Sequence, residues 1–427
     1  MPAFVLPGYR ERPREPRPLQ GDVALFASRR CAIICPMNEP FRWASIGRHA
    51  VLPQATHDER ARFDAIAQFG RFLAGSVVPA VQAAYERRAS AAYRRRHGHE
   101  PADRAEASEA LSADPTYQAW STLRRGLMEN RQLAGRLVVL RQAETIAARA
   151  RELNADQPTL KLDPSFKPPR YLSEVDIHCM PGGYITERMA DDISGPANLD
   201  VGLFGTVFAS MGPYNDGAGR GLIEWLKENH PTFRPRRIID LGCGLGHTTV
   251  PLARAFPDSE IIAIDAAAPM LRYGHARARS LGVGNITFMQ ADAAQVPLEA
   301  GIADFVFTSM MLHETSRSAL PRILRECARL LRPGGLTLHV EQPPYRGRPP
   351  FEQAMRDWDG RFNNEPFWSG LHETDLRREL AASGFEPEAI FESQMRAPPA
   401  EAGTEGERRQ EDYGRTPRWY VVGAWRR

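Results

Sequence analysis

Three glycines at alternating positions, Gly242, Gly244 and Gly246, follow at once on the apolar run Arg237–Leu241, which carries an aspartate, Asp240, near its end. Glycine at such a turn lets the backbone come close to a phosphate, ribose or amino-acid group that a side chain would keep away. Asp265 closes a second apolar run, Ile261 to Ile264, where a carboxylate is placed to grip the two hydroxyls of a ribose. A third acidic residue, Asp292, ends Asn285 to Ala291, with Ala293 beside it. Any one of these carboxylates serves equally well as a helix cap. Three at successive strand ends point to a nucleotide-type cofactor. A histidine, His313, follows the fourth apolar run in Ser309-Met-Met-Leu-His-Glu314. An imidazole near its ordinary pKa of about 6.5 is neutral at physiological pH and available as a general base.

These residues need a sheet to hold them. Arg237–Leu241, Ile261–Asp265, Asn285–Asp292, Asp304–Thr308 and Gly335–Val340 read as buried parallel strands. Helical patterns lie between them at Thr248–Phe256, Pro269–Ser280 and Arg317–Leu331, and Pro251 fits only a first turn. The glycine spacing is Gly-x-Gly-x-Gly, with His247 where a dinucleotide fingerprint has its third glycine, which disfavours a nicotinamide cofactor.

With Asp-Leu-Gly-Cys-Gly-Leu-Gly at 240–246, Asp265 ahead of Ala-Pro-Met-Leu at 268–271, Gln-Ala-Asp-Ala at 290–293 and Leu-Arg-Pro-Gly-Gly at 331–335, the chain resembles the class I S-adenosylmethionine-dependent methyltransferases. It is most similar to the branch holding the quinone-biosynthesis and small-molecule enzymes. The resemblance runs from about Tyr214 to the C-terminus. It implies an α/β fold with a Rossmann-like, doubly wound, seven-stranded sheet whose last two strands, Ala389–Gln394 and Trp419–Trp425, form an antiparallel hairpin. It implies S-adenosylmethionine held by Asp240, Gly242, Gly244, Gly246, Asp265, Ala266, Asp292 and Ala293, with Asp292 and Ala293 at the adenine. It also implies that the Pro- and aromatic-rich Glu341–Gly370 contributes to the acceptor pocket. In plant-type O-methyltransferases a histidine in a comparable Leu-His-Asp context is the general base. Here that histidine is His313, with Glu314 in place of the aspartate and no tryptophan after it. The expected activity is methyl transfer to a small molecule, with an oxygen acceptor (phenol, quinol or carboxylate) preferred. The alternatives are carbon methylation of a quinone-like ring and a noncatalytic cofactor-binding subunit.

The whole chain sets outer limits. At 427 residues, 42% hydrophobic and 25% charged, it can bury a large core. A net charge of +3, with arginines interspersed among acids, suggests no nucleic-acid surface. Cys31, Cys35, Cys179, Cys243 and Cys327 give neither a disulfide framework nor a metal pattern. Without a secretory signal or an apolar run of about eighteen residues, a cytoplasmic location and no membrane span are expected.

Residues 1–56 read as a proline- and arginine-rich arm. Residues 57–170 read as an all-helical region for packing, homodimerisation or closing over substrate, with helices at 57–95 and 114–153 and a polar linker at 97–114. In the second helix Tyr117, Trp120, Leu123, Leu127, Leu137 and Leu140 form the apolar face. Residues 171–213, with His-Cys-Met-Pro-Gly-Gly-Tyr at 178–184, read as a connector or an ordered active-site loop, and 214–427 as the catalytic domain. Residues 396–415 read as a mobile loop.

Overall fold

The computed structural model describes residues 46–206, 211–396 and 418–427. Most of the arm, with Cys31 and Cys35, and nearly all of the 396–415 loop lie outside these residues. The rest of the arm is not loose chain. Ile46, Val51, Leu52 and Ala55 are buried in the same core as the helices that follow.

Helix α1 (His57–Phe72) starts in a capping box, the Thr56 hydroxyl accepting from Glu59 N–H and the Glu59 carboxylate from Thr56 N–H. The helical path continues through α2 (Val78–Ala84) and α3 (Ser90–His97), interrupted by π turns at Leu73–Val77 and Tyr85–Ala89. Pro79, lacking the N–H that Gly75 would bind four residues back, accounts for the first of them. Gly98, at φ 86°, stops the run. The expected linker then contains a helix, α4 (Arg104–Ser112), capped by Asp103. Its Ala107, Ala110 and Leu111 bury a face too small and alanine-rich to stand out in the sequence. Helix α5 (Pro115–Leu140) is capped by Asp114 with proline in its first turn, as expected. Its inward face differs from the expected one: Tyr117, Trp120, Leu127, Met128 and Val138 are buried, while Leu123, Leu137 and Leu140 are exposed. Helix α6 (Ala143–Asn154) completes the helical half.

The sheet has eight strands, not seven. The extra one, β1 (Leu160–Lys161), pairs Leu160 with Phe288 at the edge, in a stretch whose prolines exclude a helix. The others are β2 (Arg237–Leu241), β3 (Glu260–Asp265), β4 (Ile286–Gln290), β5 (Ala303–Ser309), β6 (Leu331–Glu341), β7 (Ile390–Arg396) and β8 (Arg418–Trp425). Their order is β1-β4-β3-β2-β5-β6-β8-β7, parallel up to β6, with β8 and β7 antiparallel. Chain direction across the sheet reverses at β2, between β3 and β5, which opens a crevice at the strands' carboxyl ends.

Between the halves run α7 (Arg170–Ser173) and α8 (Ser194–Thr206). Around the sheet lie α9 (Gly217–Asn229), α10 (Thr249–Ala255), α11 (Ala268–Ser280) and α12 (Leu320–Leu330). The Glu341–Gly370 stretch folds into α13 (Pro350–Arg356), α14 (Trp358–Phe362) and the start of α15 (Trp368–Glu373), and α16 (Leu376–Ala382) follows. One hydrophobic cluster joins Trp120, Phe63 and Val138 of the helical half to Met270, Tyr273 and Ala276 of α11 and to Trp358. The core of the 57–170 region is therefore continuous with the cofactor half through α11 and α14. No helix among the described residues is long and apolar enough to cross a membrane.

Candidate functional site

The loop after β2 is shaped by backbone bonds to its neighbour strand: Gly242 and Cys243 N–H both donate to Ile264 O, at 2.8 and 2.9 Å. Gly242, Gly244 and Gly246 take φ of 75°, 50° and 73°, the left-handed region that a side chain disfavours. A side chain at Gly242 would run into Met311, whereas one at Gly244 would project into open space. That space belongs to a cavity of about 360 Å³ at the carboxyl ends of the strands.

Asp265 anchors one wall. Its Oδ2 accepts from Gly244 N–H and its Oδ1 from Ala267 N–H, each at 2.9 Å. Burial raises its pKa, and two backbone bonds leave lone pairs for a pair of hydroxyls. Asp240 accepts from the Thr249 hydroxyl at 2.6 Å, and burial lifts it to about 7. Asp292 does cap a turn, accepting from Ala294 N–H at 2.8 Å, yet it also lines the cavity with Ala293 and Ala266. Of the nine residues nominated from the sequence, Gly246 alone stands off the cavity, with its α-carbon turned toward Phe288 and Val250. The open space at Gly244 and the unfilled lone pairs of Asp265 fit S-adenosylmethionine.

His313 sits at the other end of the same cavity, on a turn of 3-10 helix (Leu312–Glu314) after β5, and is 3% exposed. Its Nδ1 is 2.6 Å from Glu341 Oε2, at the end of β6. Glu341 is itself fixed, its Oε1 accepting from Met311 and Leu312 N–H at 3.0 and 2.7 Å. With Nδ1 so held, Nε2 lies 3.8 Å from Glu314 and 4.0 Å from Glu365. Burial pushes the His313 pKa down, but Glu341, by charge and hydrogen bond, and then Glu314 and Glu365 outweigh it and bring it to about 9. This corrects the expectation of an ordinary, mostly neutral imidazole.

Four further polar residues line this end and were not nominated: His178, Tyr184, Asn363 and Glu365. His178 bridges Glu314 and Glu365, its Nε2 and Nδ1 each 3.1 Å from a carboxylate oxygen. The Tyr184 hydroxyl donates to Glu314 at 2.7 Å, and Asn363 Nδ2 to Glu365 at 2.7 Å. His178 and Cys179 hold left-handed backbone, φ 57° and 55°, a cost of about 1–3 kcal/mol each that packing must offset. His178 and Tyr184 begin and end the His-Cys-Met-Pro-Gly-Gly-Tyr stretch, the one sequence signal that marked this segment. Glu341 and Glu365 lie within the Glu341–Gly370 stretch expected at the acceptor pocket, but no motif singled out either residue.

A family model described as a methyltransferase domain matches residues 238–335, from β2 into β6. A malonyl-[acyl-carrier protein] O-methyltransferase of Methylococcus capsulatus is 36% identical over 27% of this chain and 40% of its own length. A trans-aconitate 2-methyltransferase of Methylobacterium nodulans is 35% identical over 29% of this chain and 50% of its own. An uncharacterized methyltransferase of Synechocystis sp. is 32% identical over 37% of this chain and 70% of its own. The chain thus spans half or less of the two relatives with a named substrate. These three relatives share the methyltransferase description, and the last match extends over more than two thirds of the relative. Together with a doubly wound sheet and a glycine turn facing its crevice, they show that the chain belongs to the class I S-adenosylmethionine-dependent methyltransferases.

Proposed function

We propose that the protein transfers a methyl group from S-adenosylmethionine to an oxygen atom of a small molecule. The observation that carries this is the His313–Glu341 pair: Nδ1 is tied to a carboxylate at 2.6 Å, so Nε2 is the nitrogen left to meet an acceptor. The cofactor, when bound, supplies an electrophilic methyl on a sulfonium. Asp265, Asp240 and the glycine turn would hold it, with Asp292 and Ala293 at the adenine. The chain's own work is to orient the acceptor, exclude water and take a proton.

Glu341 fixes the ring so that the Nε2 lone pair of neutral His313 faces the cavity. A base with a pKa near 9 is closely matched to a phenolic hydroxyl near 10, which makes proton transfer nearly thermoneutral. A carbon acceptor needs no such pair for the attack itself. The test is incubation with methyl-labelled S-adenosylmethionine and a panel of phenols, quinols and carboxylates, comparing native protein with His313→Ala. Label appearing in a methyl ether or ester supports oxygen transfer, and with a phenol or quinol acceptor it should fall by about 10²–10⁴ in the variant at pH 9. Label in a carbon–methyl product overturns it, and ether formation indifferent to His313 overturns the base.

A further inference from the structure

Behind the glycine turn lies a buried cluster that the transfer chemistry does not use. Its hub is Asp200 on α8, 2% exposed. Asp200 Oδ2 accepts from the Tyr273 hydroxyl at 2.7 Å and lies 3.1 Å from His49 Nε2. Asp200 Oδ1 lies 3.0 Å from His247 Nε2 and accepts from Asn215 Nδ2 at 3.2 Å. The segment before α1, α8, the glycine turn and α11 all meet at this one carboxylate. Burial works against its charge, but the bonds from His247 and His49 hold it well below the usual carboxylate range.

An ionised carboxylate accepts and cannot donate, so the proton between Asp200 and His247 sits on His247 Nε2. Burial, reinforced by Arg277 and His49, keeps the ring from a second proton even against the pull of Asp200. Nδ1 of His247 is then a lone pair with no partner among the described residues. The side chain is 18% exposed and lines the cavity directly after the glycine turn. His247 thus brings to this lining one hydrogen-bond acceptor of fixed tautomer. At its amino-acid end S-adenosylmethionine offers an ammonium, which only donates, and a carboxylate, which only accepts. A lone pair repels the second and suits the first.

We propose that His247 binds the cofactor by accepting a hydrogen bond from its α-ammonium through Nδ1, and that Asp200 is the positioning residue that sets this tautomer. The inference rests on the cofactor assignment and is independent of the acceptor. It is tested by calorimetric titration with S-adenosylhomocysteine and with its desamino analogue, which keeps the nucleoside and carboxylate. His247→Phe should weaken S-adenosylhomocysteine about tenfold and change the desamino analogue less than twofold. His247→Gln, whose amide oxygen can accept, should recover most of the loss. Asp200→Asn, nearly isosteric, should show the same selectivity at about threefold or more, and it decides the matter if the phenylalanine variant does not fold. Equal losses for both ligands, or none, overturn the proposal. Failure of the native protein to bind either ligand overturns the cofactor assignment with it.

Discussion

Replacing Glu341 by glutamine tests the base most sharply, because it changes one atom and predicts a change in the shape of a pH profile. In the native site Oε1 accepts two backbone N–H bonds and Oε2 holds His313 Nδ1 at 2.6 Å. In the variant the amide oxygen keeps the backbone bonds, so its NH₂ faces Nδ1. That nitrogen must then accept, the ring proton moves to Nε2, and the ring can no longer take a proton from the acceptor. Losing a general base costs about 10²–10⁴ in rate, or about 2.7–5.4 kcal/mol at 1.36 kcal/mol per tenfold. A pKa of about 9 leaves roughly 1% of native His313 neutral at pH 7, so native kcat should climb nearly tenfold per pH unit from 7 and level off near 9. The variant should be flat. The gap between them should therefore be about 10²–10⁴ at pH 9 and shrink about a hundredfold at pH 7. The assay is kcat against pH with the best acceptor found, at saturating cofactor. A native profile already flat at pH 7, or a variant within fivefold at pH 9, refutes the argument.

Asp265→Ala should weaken S-adenosylhomocysteine binding by about 1.5–3 kcal/mol, the range for bonds to a charged acceptor, as read by calorimetry. Gly244→Val should abolish that binding while the protein stays folded, since its side chain enters the cavity and meets no protein atom within 4 Å at Cβ; retained affinity would remove the turn from the site. Arg124, between the Trp120 and Trp358 rings and 3.0 Å from Asp359, should cost about 3–5 kcal/mol when changed to alanine, measured by denaturant unfolding. A chain beginning at Tyr171 should lack a cooperative thermal transition, because it strips the cover from Met270, Tyr273 and Ala276; a sharp transition would show that the sheet half is self-sufficient.

The sheet was legible because parallel strands buried on both faces read as unbroken apolar runs. Each expected strand lies within a few residues of its place, and the glycine turn and Asp265 follow from it. Helix α8 was not legible. Ala197, Val201 and Phe204 are buried while Leu199 and Leu203 line the cavity, and the polar Asn198 and Asp200 are buried between them, so apolar and polar residues do not separate into a helical stripe. Gly195, Pro196, Gly202 and Gly205 further disguise it. Strand β1 is two residues long, below what any periodicity can register. His313 was legible as a residue but not as an acid–base group. Its proton affinity is set by Glu341, 28 residues away in sequence, and by Glu365, both brought near only by the fold. The His313 side of the cavity is likewise assembled from His178, Glu314 and Asn363, whose spacing along the chain carries no pattern.

The shared core has a consequence for how the protein is made. Trp358 Nε1 donates to Ser121 Oγ at 2.8 Å across 237 residues of sequence, and the two tryptophans Trp120 and Trp358 pack in the same place. At roughly 5–20 residues per second, α5 leaves the ribosome roughly 12–50 seconds before the strand-half residues that cover it exist. Trp120 spends that interval without Trp358, the last of its partners to be made. Slower synthesis should accordingly lengthen the time for which this apolar face is open to aggregation.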